Sequence, residues 1–103
     1  RRCTTRQNVS RIMNNKEREL EEKCVRLARK NGFVSMKIEK NGHKGVPDRL
    51  FIGENRIYFI EFKKPGGGVV SKQQLFWHNF LKSNGIEAYF CDNFDDFKAI
   101  LNR

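Results

Sequence analysis

The spacing of apolar and polar residues predicts two adjacent strands in the middle of the chain. Apolar runs occupy positions 50–52 and 57–60, and the segment 53–56 separates them. That segment contains glycine and asparagine, which tolerate the positive φ angles of tight turns, so the pattern favours a β-hairpin. A hairpin brings the start of its first strand beside the end of its second. Asp48 and Glu61 flank the two runs, and we therefore expect them to lie close together.

Periodic patterns also predict the elements before the hairpin. Apolar residues recur at helical spacing within residues 15–31, and Gly32 is suited to end that helix. Residues 33–39 then alternate between apolar and polar, which predicts a half-buried strand. Its apolar face consists of Val34, Met36 and Ile38.

The remaining third of the chain predicts a helix, a strand and a second helix. Ser71 begins a helix with an apolar face, residues 86–91 form the last strand, and Asn93 caps a closing helix. The strand–helix–strand unit at 57–91 should cross over with the usual right hand, which makes its two strands parallel. We therefore expect an α/β fold with a mixed four-stranded sheet flanked by helices, in the order α-β-β-β-α-β-α. The apolar residues of the helix that follows Ser71 are Leu75, Phe76, Trp77, Phe80 and Leu81.

Charge points to an anionic partner. The 103 residues carry a net charge of +9. Residues 1–12 lack periodicity and contain four arginines, so we expect a disordered or appended arm there and a single domain over 13–103. Without the arm the charge is +5 (9 − 4), and this basic bias favours nucleic acid as a partner.

The sequence gives no support for a membrane or secreted protein. No apolar stretch approaches the about 20 residues that a transmembrane helix needs, and no signal-peptide core is visible. The three cysteines, Cys3, Cys24 and Cys91, are odd in number and lack metal-ligand spacing. We expect reduced thiols in a cytoplasmic protein, with Cys24 and Cys91 in the core.

The hairpin also suggests chemistry. Side chains alternate along a strand, so Glu61 and Lys63 point to the same face, beside Asp48. Two carboxylates and an ammonium at one end of a sheet suit a hard divalent ion such as Mg²⁺, whose protein shell leaves room for water and phosphate. A lysine at this position can orient or deprotonate the attacking water.

Three short motifs together resemble a known family. They are KGVPD at 44–48, IEFK at 60–63 and SKQQLFWH at 71–78, and a glycine follows at 85. In combination they resemble the VRR-NUC family of the PD-(D/E)xK nuclease superfamily, over roughly Glu17 to the carboxyl terminus. The resemblance implies a restriction-endonuclease-like core and hydrolysis of DNA phosphodiester bonds with Mg²⁺ or Mn²⁺.

The resemblance also implies roles for individual residues. The catalytic set is Glu21, Asp48, Glu61, Lys63 and Gln74. The metal ligands are Glu21, Asp48, Glu61 and the carbonyl of Phe62. The DNA phosphate contacts are Lys37, Lys44, Arg49, Lys64 and Lys72.

Some of these roles have alternatives that the sequence leaves open. Glu21 lies on the buried stripe of the first helix, where it is either a metal ligand or one partner of an ion pair, and Glu17 is the next candidate. Gln74 is a candidate both to point at the active site and to complete the capping box that Ser71 begins, and the two roles can hold together in part. Lys37 is either a phosphate contact or an exposed strand residue, and His43 is either an acid or a solvated loop residue.

The resulting hypothesis is a structure-selective DNA endonuclease that acts as a homodimer on Holliday junctions or other branched DNA. A dimer would supply the two cuts that resolve a four-way junction. The alternative is a non-catalytic nucleic-acid-binding module with the same fold. A basic protein-interaction domain is a third possibility, but neither alternative explains why Asp48, Glu61 and Lys63 occur together.

Overall fold

The computed structural model describes the backbone of residues 5–39 and 42–103, and the side chains of residues 16–39 and 42–103. Its elements follow the predicted order α-β-β-β-α-β-α. They are α1 (Thr5–Lys30), β1 (Val34–Lys37), β2 (Arg49–Gly53), β3 (Arg56–Phe62), α2 (Lys72–Ser83), β4 (Glu87–Cys91) and α3 (Phe94–Leu101).

The four strands form one mixed sheet in the order β1-β2-β3-β4. The pairs β1–β2 and β2–β3 are antiparallel, whereas β3 and β4 are parallel. The helix α2 connects these two parallel strands, as the strand–helix–strand pattern predicted. The expectation of a mixed sheet flanked by helices is therefore confirmed.

The hairpin turn uses two residues with left-handed backbone angles. Glu54 has φ 50° and Asn55 has φ 62°, which is the combination that suits a two-residue turn between twisted strands. The sequence suggested that Gly53 supplies a positive φ, but its φ is not in that region. Glycine is needed there for space, because a Cβ on Gly53 would lie 2.7 Å from the ring of Phe33.

The core lies between one face of the sheet and the helices α1 and α3. Phe51, Tyr58, Ile60 and Phe62 project from β2 and β3 into this layer and are fully buried. They pack with Leu20, Cys24, Val25 and Ala28 of α1, with Cys91, and with Phe97, Ile100 and Leu101 of α3. Cys24 and Cys91 are buried free cysteines, as predicted, and Cys3 lies outside the described residues.

The opposite face of the sheet is covered only in part. The helix α2 packs on β4, where the ring of His78 stacks on Phe90 with centroids 4.3 Å apart. No helix within the described ranges packs on β1 from this side, so Val34 and Met36 are exposed. The predicted half-buried strand thus turns its apolar side to solvent, and its polar Ser35 faces α1. Trp77 and His78 are half-buried and not core residues.

The first helix is longer than predicted. The structure begins α1 at Thr5, ten residues before the predicted start at residue 15 (15 − 5), so the segment expected to be irregular is helical from Thr5 onward. Residues 1–4 lie outside the described part of the chain. No helix among the described residues is long and apolar enough to span a bilayer.

An ion-pair network ties the ends of the parallel strands to α3. Arg56 donates from Nε to Glu87 Oε2 at 3.0 Å and from Nη2 to Glu87 Oε1 at 2.8 Å. Its Nη1 donates to the carbonyl of Leu101 at 3.2 Å, and the hydroxyl of Tyr89 donates to Glu87 at 2.6 Å. The hydrogen bonds from Arg56 and Tyr89 hold the pKa of Glu87 below its ordinary value.

We expect Glu87→Gln to lower the free energy of unfolding by about 1–2 kcal/mol at pH 7, because hydrogen bonds to a charged group are lost. The folded-state pKa of Glu87 is depressed, so its stabilisation is present above the unfolded pKa of about 4.3 and fades as the pH falls through the folded value. Urea unfolding of both proteins at a series of pH values measures this difference.

The matched control for this prediction is Asp95→Asn. Asp95 lies 3.3 Å from Lys98 in an exposed pair within α3, and such pairs contribute little. A loss of stability as large as that of Glu87→Gln in the control, or a Glu87→Gln effect that does not shrink as the pH falls, would contradict this account of the network.

Candidate active site

The hairpin register brings the two predicted carboxylates together. Arg49 pairs with Ile60, so Asp48 lies directly opposite Glu61 where β2 begins and β3 ends. Oδ2 of Asp48 accepts a hydrogen bond from the backbone N–H of Phe62 at 2.9 Å. This bond fixes the first carboxylate against the strand that carries the second, as the sequence pattern predicted.

Glu61 is a buried carboxylate on the face that is opposite to the aromatic core. It is only 7% exposed, whereas most glutamates lie in solvent. Its Oε2 accepts a hydrogen bond from Nε2 of Gln74 at 3.0 Å and lies 3.9 Å from Nζ of Lys63. Burial without such partners would be costly for an ionised group, so these contacts are part of what keeps Glu61 in place.

Gln74 joins the acid and the lysine. Its Oε1 accepts from Nζ of Lys63 at 2.7 Å, while the same lysine donates to the carbonyl of Val69 at 2.7 Å. Gln74 also completes a capping box, because its Oε1 accepts from the N–H of Ser71 at 3.0 Å and its own N–H donates to Ser71 Oγ. Both alternatives that the sequence left open therefore hold at once.

The structure places Glu21 in an ion pair. Arg49 donates from Nε to Glu21 Oε2 at 2.5 Å, and from Nη1 to the hydroxyl of Ser35 at 3.3 Å. Of the two alternatives for Glu21, the observed contact is that of the ion-pair partner. The guanidinium of Arg49, which we expected to contact DNA, is held by this contact between β2 and α1.

Glu17, one turn earlier on α1, interacts electrostatically with Asp48 and Lys63, and Glu21 also acts on Asp48. Burial raises the pKa of Glu17, and the negative charge of Asp48 raises it further, while Lys63 opposes both. Sequence reasoning ranked Glu17 second because it lies one turn before Glu21, on nearly the same side of the helix. The spacing of one helical turn could not decide which glutamate faces the hairpin end.

Asp48 is a partly desolvated carboxylate. Burial raises the pKa of Asp48, with a contribution from the charge of Glu21, while the Phe62 N–H, Lys37 and Lys63 lower it. Crowded, desolvated carboxylates are the environment that a hard cation relieves, and all the candidate ligands are oxygens.

The protein alone does not form a complete metal shell. Within the described ranges, no three His, Cys, Asp or Glu side chains converge closely enough to hold a metal ion by themselves. Mg²⁺ commonly binds through one or two carboxylates plus waters and substrate phosphate, so Asp48 and Glu61 fit this ion chemically.

The remaining predicted site residues differ in how far they are buried. Phe62 is buried and is placed by its N–H bond to Asp48. Lys37 is exposed and acts electrostatically on Asp48. Lys44, Lys64 and Lys72 are exposed side chains in the loops and at the helix start near the site, where an anionic ligand could reach them.

The fold and the acid–lysine arrangement define a class before any family is considered. A mixed sheet that carries paired acids and a lysine at one end of a hairpin is the architecture of the PD-(D/E)xK nucleases. The model of the VRR-NUC domain family matches residues 1–95 of this chain. The chain therefore belongs to the VRR-NUC family, which is a nuclease family.

Comparison of folds agrees with this assignment. A solved structure described as a VRR_NUC domain superposes with a TM-score of 0.78 over 85% of this chain and 96% of the other, at 21% sequence identity. At that identity the likeness establishes the shared fold. No curated protein sequence matches the chain.

We expect Asp48→Asn to raise the free energy of unfolding of the metal-free protein at pH 8, by about 0.5–2 kcal/mol, because a buried charge is removed from a functional site. The asparagine oxygen can still accept the Phe62 N–H. The folded pKa of Asp48 is raised, so its ionisation disfavours the folded state, and the advantage of the variant should shrink as the pH falls through that value.

Urea unfolding in the presence of a chelator, at pH 4 to pH 8, measures this difference. The exposed residue Asp95, changed to asparagine, is the control. A variant that is less stable than the wild type at pH 8 would show that the Asp48 charge supports the fold and is not a strained functional group.

Proposed function

We propose that this protein is a Mg²⁺- or Mn²⁺-dependent endonuclease that hydrolyses phosphodiester bonds in branched DNA. The observation that carries the proposal is the convergence of Asp48, Glu61 and Lys63 at one end of the hairpin, with Gln74 bonded to both Glu61 and Lys63. A module that only binds nucleic acid has no use for buried acids that face phosphate. The non-catalytic alternative explains the basic surface but leaves this cluster without a purpose.

The proposed roles follow from the contacts. Asp48 and Glu61, joined by Glu17 from α1, would hold the metal ion. The bound ion would supply Lewis-acid stabilisation of phosphate charge and lower the pKa of a coordinated water. Lys63, fixed by Gln74 and the Val69 carbonyl, is placed to orient water and to stabilise negative charge on the phosphate.

Gln74 has a positioning role in this proposal. Its amide nitrogen holds Glu61 and its amide oxygen holds Lys63, so one side chain sets the distance between the acid and the ammonium. The capping box fixes Gln74 in turn, because Ser71 anchors it at the first turn of α2. A rigid support of this kind is what precise placement of catalytic groups needs.

DNA binding in this proposal depends on the backbone and not on base sequence. Lys37, Lys44, Lys64 and Lys72 are exposed and would contact phosphates, which set affinity and orientation without reading bases. No helix of the described chain is arranged as a recognised DNA-reading motif. Selectivity would then come from DNA shape, such as a junction or flap.

The proposed working species is a homodimer, and an uncovered apolar surface supports it. The same side of the sheet that carries α2 exposes Val34, Met36, Ile52 and Ile57, and none of the residues of α2, all of them described, is buried. Leu75, Phe76 and Phe80 add to this surface from α2, and the seven side chains are 37–60% exposed.

The size of this surface suits a dimer. With side chains of this kind the seven residues expose on the order of 600 Å² of apolar area, which is the upper end for a monomer. A standard interface buries about 800 Å² on each partner. Identical apolar sheet faces can pack on each other about a two-fold axis, which would give two active sites at a fixed separation.

We expect Asp48→Ala and Glu61→Ala to reduce cleavage by roughly 100-fold or more, because each removes a proposed metal ligand, while DNA binding persists or tightens. Lys63→Ala should bind DNA but lose roughly 100-fold in turnover. Nicking of labelled four-way junctions and linear duplexes with Mg²⁺ or Mn²⁺ measures both effects. Retained metal-dependent cleavage in both acid variants would refute the assigned site.

Two controls sharpen this test. Asp95→Ala and Lys98→Ala remove an exposed acid and an exposed lysine of α3 and should cleave like the wild type. Glu17→Gln should lose cleavage without losing stability, whereas Glu21→Gln should mainly lower stability through Arg49. The opposite pattern would restore Glu21 as the metal ligand on α1.

We expect light scattering to give a mass near 24 kDa (2 × 12.2 kDa) for the wild type. Ile57→Ser and Phe80→Ser should shift the mass towards the monomer, because each replaces an apolar side chain of the proposed interface. Val69→Ser, an exposed apolar residue outside that surface, is the matched control. A wild-type monomer that still makes paired cuts in a four-way junction would refute the dimer.

A further inference from the structure

A cleft opens beside the active site, between the loop that precedes β2 and the start of α2. Its volume is about 590 Å³, and it is lined by residues 42–45 together with Ser71, Gln73 and Gln74. Gln74 belongs both to this cleft and to the network that holds Glu61 and Lys63. Whatever occupies the cleft is therefore next to the proposed catalytic groups.

The cleft is built by a close approach of two backbones. Gly45 has φ 90°, and a Cβ on it would lie 2.4 Å from the carbonyl carbon of Gln73. Only glycine permits this contact, which fixes the loop against the first turn of α2. The outer part of the loop is supported by His43, whose ring lies edge-on to Trp77 with centroids 5.4 Å apart.

The lining residues offer contacts to a ligand that carries both an anionic group and a ring. None of them is acidic, and all lie in the described ranges. Lys44 supplies an exposed ammonium, the amide of Gln73 supplies a donor and an acceptor, and His43 supplies an exposed aromatic ring. The volume is within the range of about 300–1,000 Å³ that is usual for small-molecule sites, which is enough for a nucleotide.

From these observations we propose that the cleft binds one unpaired nucleotide adjacent to the phosphate that is cut. This inference rests on the proposed nuclease function and specifies its substrate. A base inside a duplex is held by pairing and stacking, so only a nucleotide at a branch point or a single-stranded end can enter a side cleft readily. His43 stacks on the base and Lys44 pairs with the phosphate.

Binding of an unpaired nucleotide in the cleft would explain how the protein prefers a particular DNA structure, although its active site, within the described residues, has no element that reads base sequence. Flaps and splayed ends present unpaired nucleotides beside a duplex, whereas linear duplex and a fully paired four-way junction do not. A protein side chain in place of the nucleotide is the rival occupant. Lys44 is the charged residue of the lining, and its positive charge favours an occupant that carries a phosphate.

The test measures binding without divalent ions, so that it does not depend on cleavage. Fluorescence anisotropy compares a labelled splayed duplex, whose strands are unpaired at one end, with a fully paired duplex. It then compares the intact splayed duplex with a series of splayed duplexes, each of which lacks the base at one of the first unpaired positions. We expect tighter binding of the splayed duplex. At one position, loss of the base should weaken binding by roughly 5- to 100-fold.

Variants assign that effect to the cleft. His43→Ala should weaken binding of the intact splayed duplex by a similar factor. This variant should then bind the probe that lacks the base at the sensitive position no more weakly than the intact probe. His43→Phe should still bind the splayed duplex more tightly than the paired duplex. Lys98→Ala is the control that leaves binding unchanged. Equal binding of all base-less probes, or equal weakening of paired duplex by His43→Ala, would overturn the proposal.

Adding Mg²⁺ or Mn²⁺ to the same probes separates this proposal from the nuclease function. Base-dependent binding without cleavage would support the cleft and refute the nuclease. Cleavage of the probes without any base dependence would support the nuclease and refute the cleft. Failure to bind any of the DNA probes would refute both.

Discussion

The hydrogen bond from the Phe62 N–H to Asp48 is the contact on which the site depends. It exists because the antiparallel register of β2 and β3 places Asp48 opposite Glu61, and because the two-residue turn at Glu54 and Asn55 fixes that register. A one-residue slip would turn Glu61 into the aromatic core and Phe62 out of it. The same alternation thus specifies the core and the site, and neither can change without the other.

The two faces of the sheet have different roles: one supplies most of the packing that stabilises the fold, and the other carries the candidate active site. The α1 and α3 side contains Phe51, Tyr58, Ile60 and Phe62 and supplies most of the burial. The α2 side holds Glu61, Lys63 and Gln74, and it is only partly covered. Desolvated acids in a thinly covered layer disfavour the fold, and the aromatic layer below offsets that cost.

The sequence was sufficient to predict what local rules determine. Alternation, turn residues and the capping box gave the order of elements, the parallel β3–β4 pair and the meeting of Asp48 with Glu61. The features that the sequence did not predict depend on which surfaces contact each other in the folded chain. The pairing of Glu21 with Arg49 joins residues 28 positions apart, and no local pattern indicates it. The exposure of Val34 and Met36 arises because α2 packs on β4 and the end of β3, away from β1, which periodicity cannot reveal.

The position of α2 links the site to the proposed dimer. Its first turn holds Gln74, which connects Glu61 to Lys63, and its contact with the sheet includes the stacking of His78 on Phe90. None of its residues is buried within one chain, although Leu75, Phe76 and Phe80 are large and apolar. In the proposed dimer, burial of these side chains would hold α2 more firmly against the sheet. Association would then restrict the motion of Gln74, so that assembly of the dimer and order in the active site would depend on the same helix.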